Sequence, residues 1–353
     1  MNKKETMTPR ERWLAVLHRQ KPDRIPLDYR ATEEATKKLM RYLKCKNLND
    51  LFIRFHIDRL ISIKPKYVGP GILDNMDIFG CRFRNAEYKG GTYQECIYHP
   101  LAKYKTLKQI KNNYKWPKPD WYNYSEIPKQ IIGKEMYSIF GGGSEPFLTY
   151  RDLRSTEQAF LDLILHPEIV HFCLDKLFNL CYENTLRIYE QIPGKVTITV
   201  VAEDMGSQEN LLYSPNQIRK FLIPRMKRMI DLAHEAGAFV FFHSDGAIRK
   251  IIPDMIKAGV DILDPIQWRC KGMDRERLKQ DFGDKLVFHG GVDNQYTLAF
   301  GSVEEVRQEV IDNIHILGKN GGYILGPCHN IQVVSPPENI VAMYETAYEE
   351  GWN

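Results

Sequence analysis

"FVFFHSDGAIRKIIPDMIKAGVDILDPIQW", residues 239–268, decides the fold. Four apolar residues run straight into His243, Ser244, Asp245 and Gly246. A helical pattern closed by Gly259 follows, and a second apolar run ends at Asp264 and Pro265. Apolar runs without alternation, bounded by turn residues, read as strands buried on both faces. Strand, helix and next strand within ~30 residues make the parallel βαβ unit.

The same unit recurs outward from it. "TITVVAEDMG" (197–206) leads through "YSPNQ" into the helical "IRKFLIPRMKRMIDLAHEAGA". "VDILDPIQW" precedes the short helical "MDRERLKQDFG", "LVFHGGVD" precedes "SVEEVRQEVIDNIHILGKNG", and "GYILGPCHNI" precedes "PPENIVAMYETAYEEG". Five consecutive strand–helix units fit either a doubly wound sheet or a closed (β/α)8 barrel. Every strand ends in polar residues and no GxGxxG turn occurs, which favours an α/β (β/α)8 TIM barrel with one active-site mouth at the strand ends. The N-terminal half gives a Thr-capped helix, a Pro-containing turn and a short strand in "TPRERWLAVLHRQKPDRIPLDY", helices in "TEEATKKLMRYLKC" and "NLNDLFIRFHI", and a strand in "DRLISIKPKYVG". An antiparallel excursion is expected over 70–100, turning at "NAEYKGGTY", and two helices broken at Pro167 follow. The whole chain, 1–353, reads as one barrel domain with an N-terminal helical extension.

The totals exclude several classes. With 43% hydrophobic and 27% charged residues, the 353-residue chain can bury a large core. Its 49 basic and 45 acidic residues leave a net charge of +4, too balanced to argue for nucleic acid. The basic run over 103–118 reads as a solvated face, with an acidic docking partner as the other reading. No apolar run is long enough for a membrane span and the N-terminus lacks a signal-peptide core, so a cytoplasmic protein is expected. Seven scattered cysteines without a CxxC pair are expected to be reduced.

Aligned strand ends deliver Glu203 and Asp204, His243 and Asp245, Asp264 and Gln267, His289 and Asp293, and Cys328 and His329. In a barrel these groups surround one mouth. His243 is either satisfied by a backbone carbonyl or set for catalysis or metal binding, and its strand-end position favours the latter. Asp245 can cap the next helix or act in the site. Cys328, between Gly-Pro and His-Asn, is a thiolate ligand or a turn residue. Glu203 and Asp204 are adjacent, so only one can enter the mouth. His289 and Asp293 can instead be structural hydrogen-bond partners. A thiolate, an imidazole and a carboxylate together suit zinc with an open position. Tyr150, Tyr213 and Trp268 are candidate pocket walls or plain packing. "FGGGSEP" (140–146) lacks a P-loop ending and reads as a lid, a substrate loop or a connection.

"TPRERWLAVLHRQKPDRIPLDYR", "SPNQIRKFLIPRMKRMIDLAHEAGAFVFFHSDGAI", "AGVDILDPIQ", "FGDKLVFHGGVDNQ" and "SPPENIVAMYETAYEEG" together resemble the uroporphyrinogen decarboxylase superfamily over nearly the whole chain. The resemblance implies the barrel and two activities. Cofactor-free decarboxylases of the family hold a tetrapyrrole through a segment of the type "RQAGRYLPEY", whereas this chain has "LDYRATEEATKKL" with one Arg. In the corrinoid-dependent methyltransferase branch, the coenzyme M members bind zinc through a His-x-Cys and a distant Cys near the last strand; here the pair is His243-Ser244-Asp245, with Cys328 near the distant position. The resemblance therefore implies zinc on His243 and Cys328, completed by Glu203 or Asp245. It implies methyl transfer from a small donor, an aromatic methyl ether (O-demethylation), to the cobalt of a separate corrinoid protein. His243, Asp245 and Glu203 would be catalytic, and Tyr150, Tyr213, Gln267, Trp268, His289 and Asp293 would contact substrate. A uroporphyrinogen decarboxylase, a methylcobalamin:thiol methyltransferase and a non-catalytic corrinoid- or substrate-binding protein are the alternatives. A homodimer is the family's habit.

Overall fold

Each of the five apolar runs forms a strand, in a computed structural model that describes residues 4–88 and 91–352. Seven parallel strands lie in sequence order: β1 (Leu60–Ile63), β2 (Ser138–Ser144), β3 (Ile198–Ala202), β4 (Phe239–His243), β5 (Ile262–Asp264), β6 (Val287–Val292) and β7 (Tyr323–Pro327). The stretch around Leu27 closes the ring. It pairs in parallel with Leu325 of β7, exchanging Asp28 N–H to Leu325 O (2.9 Å) and Leu325 N–H to Pro26 O (2.9 Å), and its Leu27 carbonyl accepts Asp58 N–H (2.8 Å) ahead of β1. Eight chain segments thus surround one axis, the expected (β/α)8 barrel.

Helices cover the outside. The long helical region breaks where expected, into Thr156–Leu165 and Pro167–Gln191. β5 is cut short because Pro265 has no N–H to extend the ladder. The Thr8-capped helix Pro9–Leu17 closes the N-terminal end of the barrel. Its Trp13, Val16 and Leu17 pack on Ile198, Phe241, Ile262, Val287 and Ile324 from the strand interiors.

The excursion is a hairpin of Arg82–Tyr88 against Gly91–Tyr98; the expected turn at Lys89 and Gly90 lies outside the described residues. The basic run forms helix Leu107–Asn113, which buries Ile110 and leaves its lysines in water. "FGGGS" is neither lid nor connection: it is the end of β2. Its register against β3 slips between Phe140 and Gly143, where Gly142 (φ +74°) and Gly143 (φ +142°) make a bulge. All seven cysteines are free thiols. Among the described residues no helix is long and apolar enough to cross a membrane.

Candidate active site

Strand alternation selects the side chains that reach the mouth. Phe239 and Phe241 belong to the barrel interior, and His243, two residues on, lines a cavity of about 760 Å³. Asp264 at the end of β5 is its register partner, and Asp264 is the centre of the site. This fully buried carboxylate accepts Nη2 and Nη1 of Arg30 (2.6 and 3.1 Å), Nδ1 of His243 (2.6 Å) and Nδ1 of His289 (2.6 Å). Arg30 also donates Nε to Asp28 (3.1 Å). Burial alone would raise the Asp264 carboxyl, but Arg30 and the two imidazoles hold it well below the usual range. The same contact raises His243 and His289, overriding the burial that would lower them. His289 Nε2 lies 3.2 Å from Asp28 but out of line for a hydrogen bond.

Bound to Asp264 through Nδ1, His243 has Nε2 free toward the mouth. Donor atoms of His243, Asp245 and His329 all lie within 4.8 Å of one another, the candidate metal cluster among the described residues. Asp245 does not cap a helix, since the next one, Arg249–Ile251, starts at Ile248 without a side-chain cap. Its carboxyl is raised by burial, against the pull of His243 and His329.

The expected set of His243, Cys328 and Glu203 does not come together. The Cys328 thiol is fully buried and donates to Ile266 O (3.2 Å); burial, with Asp293 nearby, raises it well above an ordinary thiol. The strand stops at Pro327, and it is His329 that faces the mouth. Glu203 turns away too: Oε1 accepts Phe147 N–H (3.0 Å) while Oε2 has no partner among the described residues, and burial pushes its carboxyl up to about 8. Of the adjacent acids it is Asp204 that approaches, with Oδ1 4.0 Å from His243 Nε2.

The expected substrate contacts divide. Gln267 borders a second cavity of about 540 Å³, which meets the first at His329, and its Oε1 accepts Gly246 N–H (2.9 Å). His289 is a buried support for Asp264. Asp293 accepts three loop amides, from Gln295, Tyr296 and Thr297, and pairs with Arg269. Tyr150 donates to Asp162 (2.5 Å), Tyr213 donates to Asp204 O (2.6 Å), and Trp268 is sandwiched by Arg269 and Arg275; none of the three lines the first cavity. Sequence reasoning missed Arg30, Asp28, Glu145 and Arg59 of the cavity wall. For Arg30 a signal existed: "LDYR" places a charge pair directly after a short apolar run, where a first barrel strand would end.

Residues 68–350 match the family model described as "Uroporphyrinogen decarboxylase (URO-D)". The chain belongs to the URO-D family. Relatives include the uroporphyrinogen decarboxylase of Microcystis aeruginosa, 24% identical over 214 residues that make up 60% of this chain and 54% of that protein. Uroporphyrinogen decarboxylase 2, chloroplastic, of rice is 25% identical over 215 residues, 60% of this chain and 48% of its own. The chain thus spans about half the length of the curated relatives it matches. Among solved structures, a methyltransferase from Methanosarcina mazei superposes with a TM-score of 0.69 at 18% identity, covering 97% of this chain and 99% of that one. The URO-D barrel is therefore shared along almost the full length of both.

Proposed function

We propose that this URO-D family member is a methyltransferase that moves a methyl group from a small donor, an aromatic methyl ether, to the Co(I) of a corrinoid protein. The observation that carries this reading is the meeting of His243, Asp245 and His329 at a deep cavity walled by Phe52, Leu60, Phe140 and Phe241. The likeness to the Methanosarcina mazei methyltransferase supports it. A tetrapyrrole edged with carboxylates would need several free cations, whereas of the two arginines in the cavity wall Arg30 is committed to Asp264 and Asp28, leaving Arg59 alone.

The donor set fits zinc: His243 Nε2 is free because Nδ1 is tied to a carboxylate, and Asp245 and His329 add an oxygen and a second imidazole. Bound there, zinc would supply a Lewis acid for the ether oxygen. The chain's own residues do the rest. Asp264 fixes the ring and tautomer of His243, while the phenylalanines hold the aromatic ring and exclude water. As the Co(I) electron pair forms the new bond to the methyl carbon, the C–O pair leaves on oxygen. Glu145, an exposed residue whose carboxyl is raised by partial desolvation at the cavity wall and by Asp204, lines the cavity and can give that oxygen a proton.

The test is zinc per chain, followed by methylcobalamin formation from methoxybenzene and free cob(I)alamin. About one zinc is expected in the wild type and in Cys328→Ser, with loss in His243→Ala and His329→Ala and methyl transfer lost in parallel. Zinc lost in Cys328→Ser but kept in His329→Ala would overturn the ligand set. Zinc-loaded protein that moves no methyl group from any methyl ether would overturn the reaction.

A further inference from the structure

The cationic groups around the large cavity are not equivalent. Arg30 is neutralised by Asp28 and Asp264. Arg59 is different: it is half-buried in the cavity wall, yet among the described residues it makes no hydrogen bond or ion pair. Its guanidinium sits 5.5 Å over the Phe52 ring. The surroundings are apolar, with Ile57 and Leu60 beside it in sequence and Leu48 and Phe52 on the facing helix Leu48–Arg54, all lining the same cavity. The exposed Ser62 hydroxyl, on the β1 face that Leu60 shares, adds a donor. An unpaired guanidinium held on an aromatic face beside a hydrophobic slot has its planar N–H fork free for a carboxylate.

We infer that Arg59 is a subsite for an anionic group of the substrate, so that the small molecule held here is an aromatic acid whose carboxylate meets Arg59 while its oxygen substituent faces His243 and His329. This rests on the methyl-transfer reading for the identity of the reacting end, but not for the binding of the acid. The aromatic body fills the slot between the two ends, where Phe140 and Phe241 supply ring contacts. Anion capture at Arg59 would also orient the ring, because a single ion pair at one end leaves the oxygen at the other.

The experiment compares two probes that need neither cobalt nor turnover: 4-hydroxybenzoate and phenol, titrated by calorimetry into the zinc-loaded wild type, Arg59→Met and Arg59→Lys. Arg59 is a wall residue, and unfolding temperatures check that both variants fold. The wild type is expected to bind 4-hydroxybenzoate at least ~10-fold more tightly than phenol, as a charge-assisted hydrogen bond requires. Arg59→Met should bring the two within ~2-fold, with phenol affinity unchanged, and Arg59→Lys should fall between. Equal affinities in the wild type, no binding of either probe, or a preference that survives Arg59→Met would each overturn the inference. The two readings fail separately. Methyl transfer from methoxybenzene with no preference for the acid sinks only the anion subsite. A preference that depends on Arg59, with no methyl transfer from 4-methoxybenzoate, sinks only the reaction.

Discussion

Asp264 is a fully buried carboxylate, and the Arg30 guanidinium and the two imidazole Nδ1 groups surround it in place of solvent. Removing one partner of such a buried set costs far more than a surface pair would, because the others are left uncompensated. Asp264→Asn keeps the shape and removes the charge, leaving Arg30 facing only Asp28 and both imidazoles without their anchor. We expect a loss of about 3 kcal/mol in urea unfolding and zinc affinity lower by ~10–100-fold, measured against a competing chelator. Unchanged zinc affinity would mean that His243 is oriented by packing alone. At this scale the sequence was half legible. His243 and Asp245 stand out because an apolar run ends on them. The choice between Cys328 and His329 depends on how the chain turns after Pro327, and neighbouring residues carry no mark of that. Likewise only the turn of the backbone tells that Asp204, rather than Glu203, approaches the mouth.

Elements differ in how openly they announce themselves. The five C-terminal strand–helix units are readable because their strands are buried on both faces and their helices mostly end near a glycine. β2 hides because three glycines occupy the positions where β-branched residues would signal a strand. Those glycines have a structural cause. A Cβ on Gly143 would lie 2.4 Å from the Val200 carbonyl oxygen, and one on Gly142 2.5 Å from Thr185 Cγ2, at backbone angles that L side chains rarely adopt. The bulge they allow swings Ser144 and Glu145 into the cavity wall. Gly143→Ala should therefore cost about 2 kcal/mol or more, and it should damage substrate binding beyond what stability explains. Thermal unfolding with a parallel 4-hydroxybenzoate titration checks both. A variant as stable as the wild type would show that β2 can relax without the bulge.

Across the whole molecule, the barrel was legible from its second half and the short strand around Leu27 from its first, whereas the contacts that close it were not. Closure runs through the N-terminal helix, whose Arg12 is fully buried and donates to Asp58 and, through Nε and Nη2, to Asp23 (2.7 and 2.8 Å). Arg24 reaches Asp58 as well (2.7 Å), and Asp58 in turn accepts Leu27 N–H (2.9 Å). The plug, the first barrel segment and β1 are thus held by one charge network, made of residues up to 46 apart in sequence. No local pattern betrays such a network. It makes stability depend on pH with a definite sign. Burial would raise the Asp23 carboxyl, but Arg12 and the amides of Thr6 and Met7 hold it below its ordinary range. A carboxyl depressed on folding stabilises above its unfolded value, near ~4, and that contribution is lost as pH falls through the folded value. Asp23→Asn retains an acceptor without the charge. Denaturant unfolding between pH 3 and pH 7 should show the variant weaker by about 2 kcal/mol at neutral pH, with the gap to the wild type closing as the medium becomes more acid than pH ~4. A gap that stays constant over that range would mean that hydrogen bonds, not charge, hold the plug in the barrel.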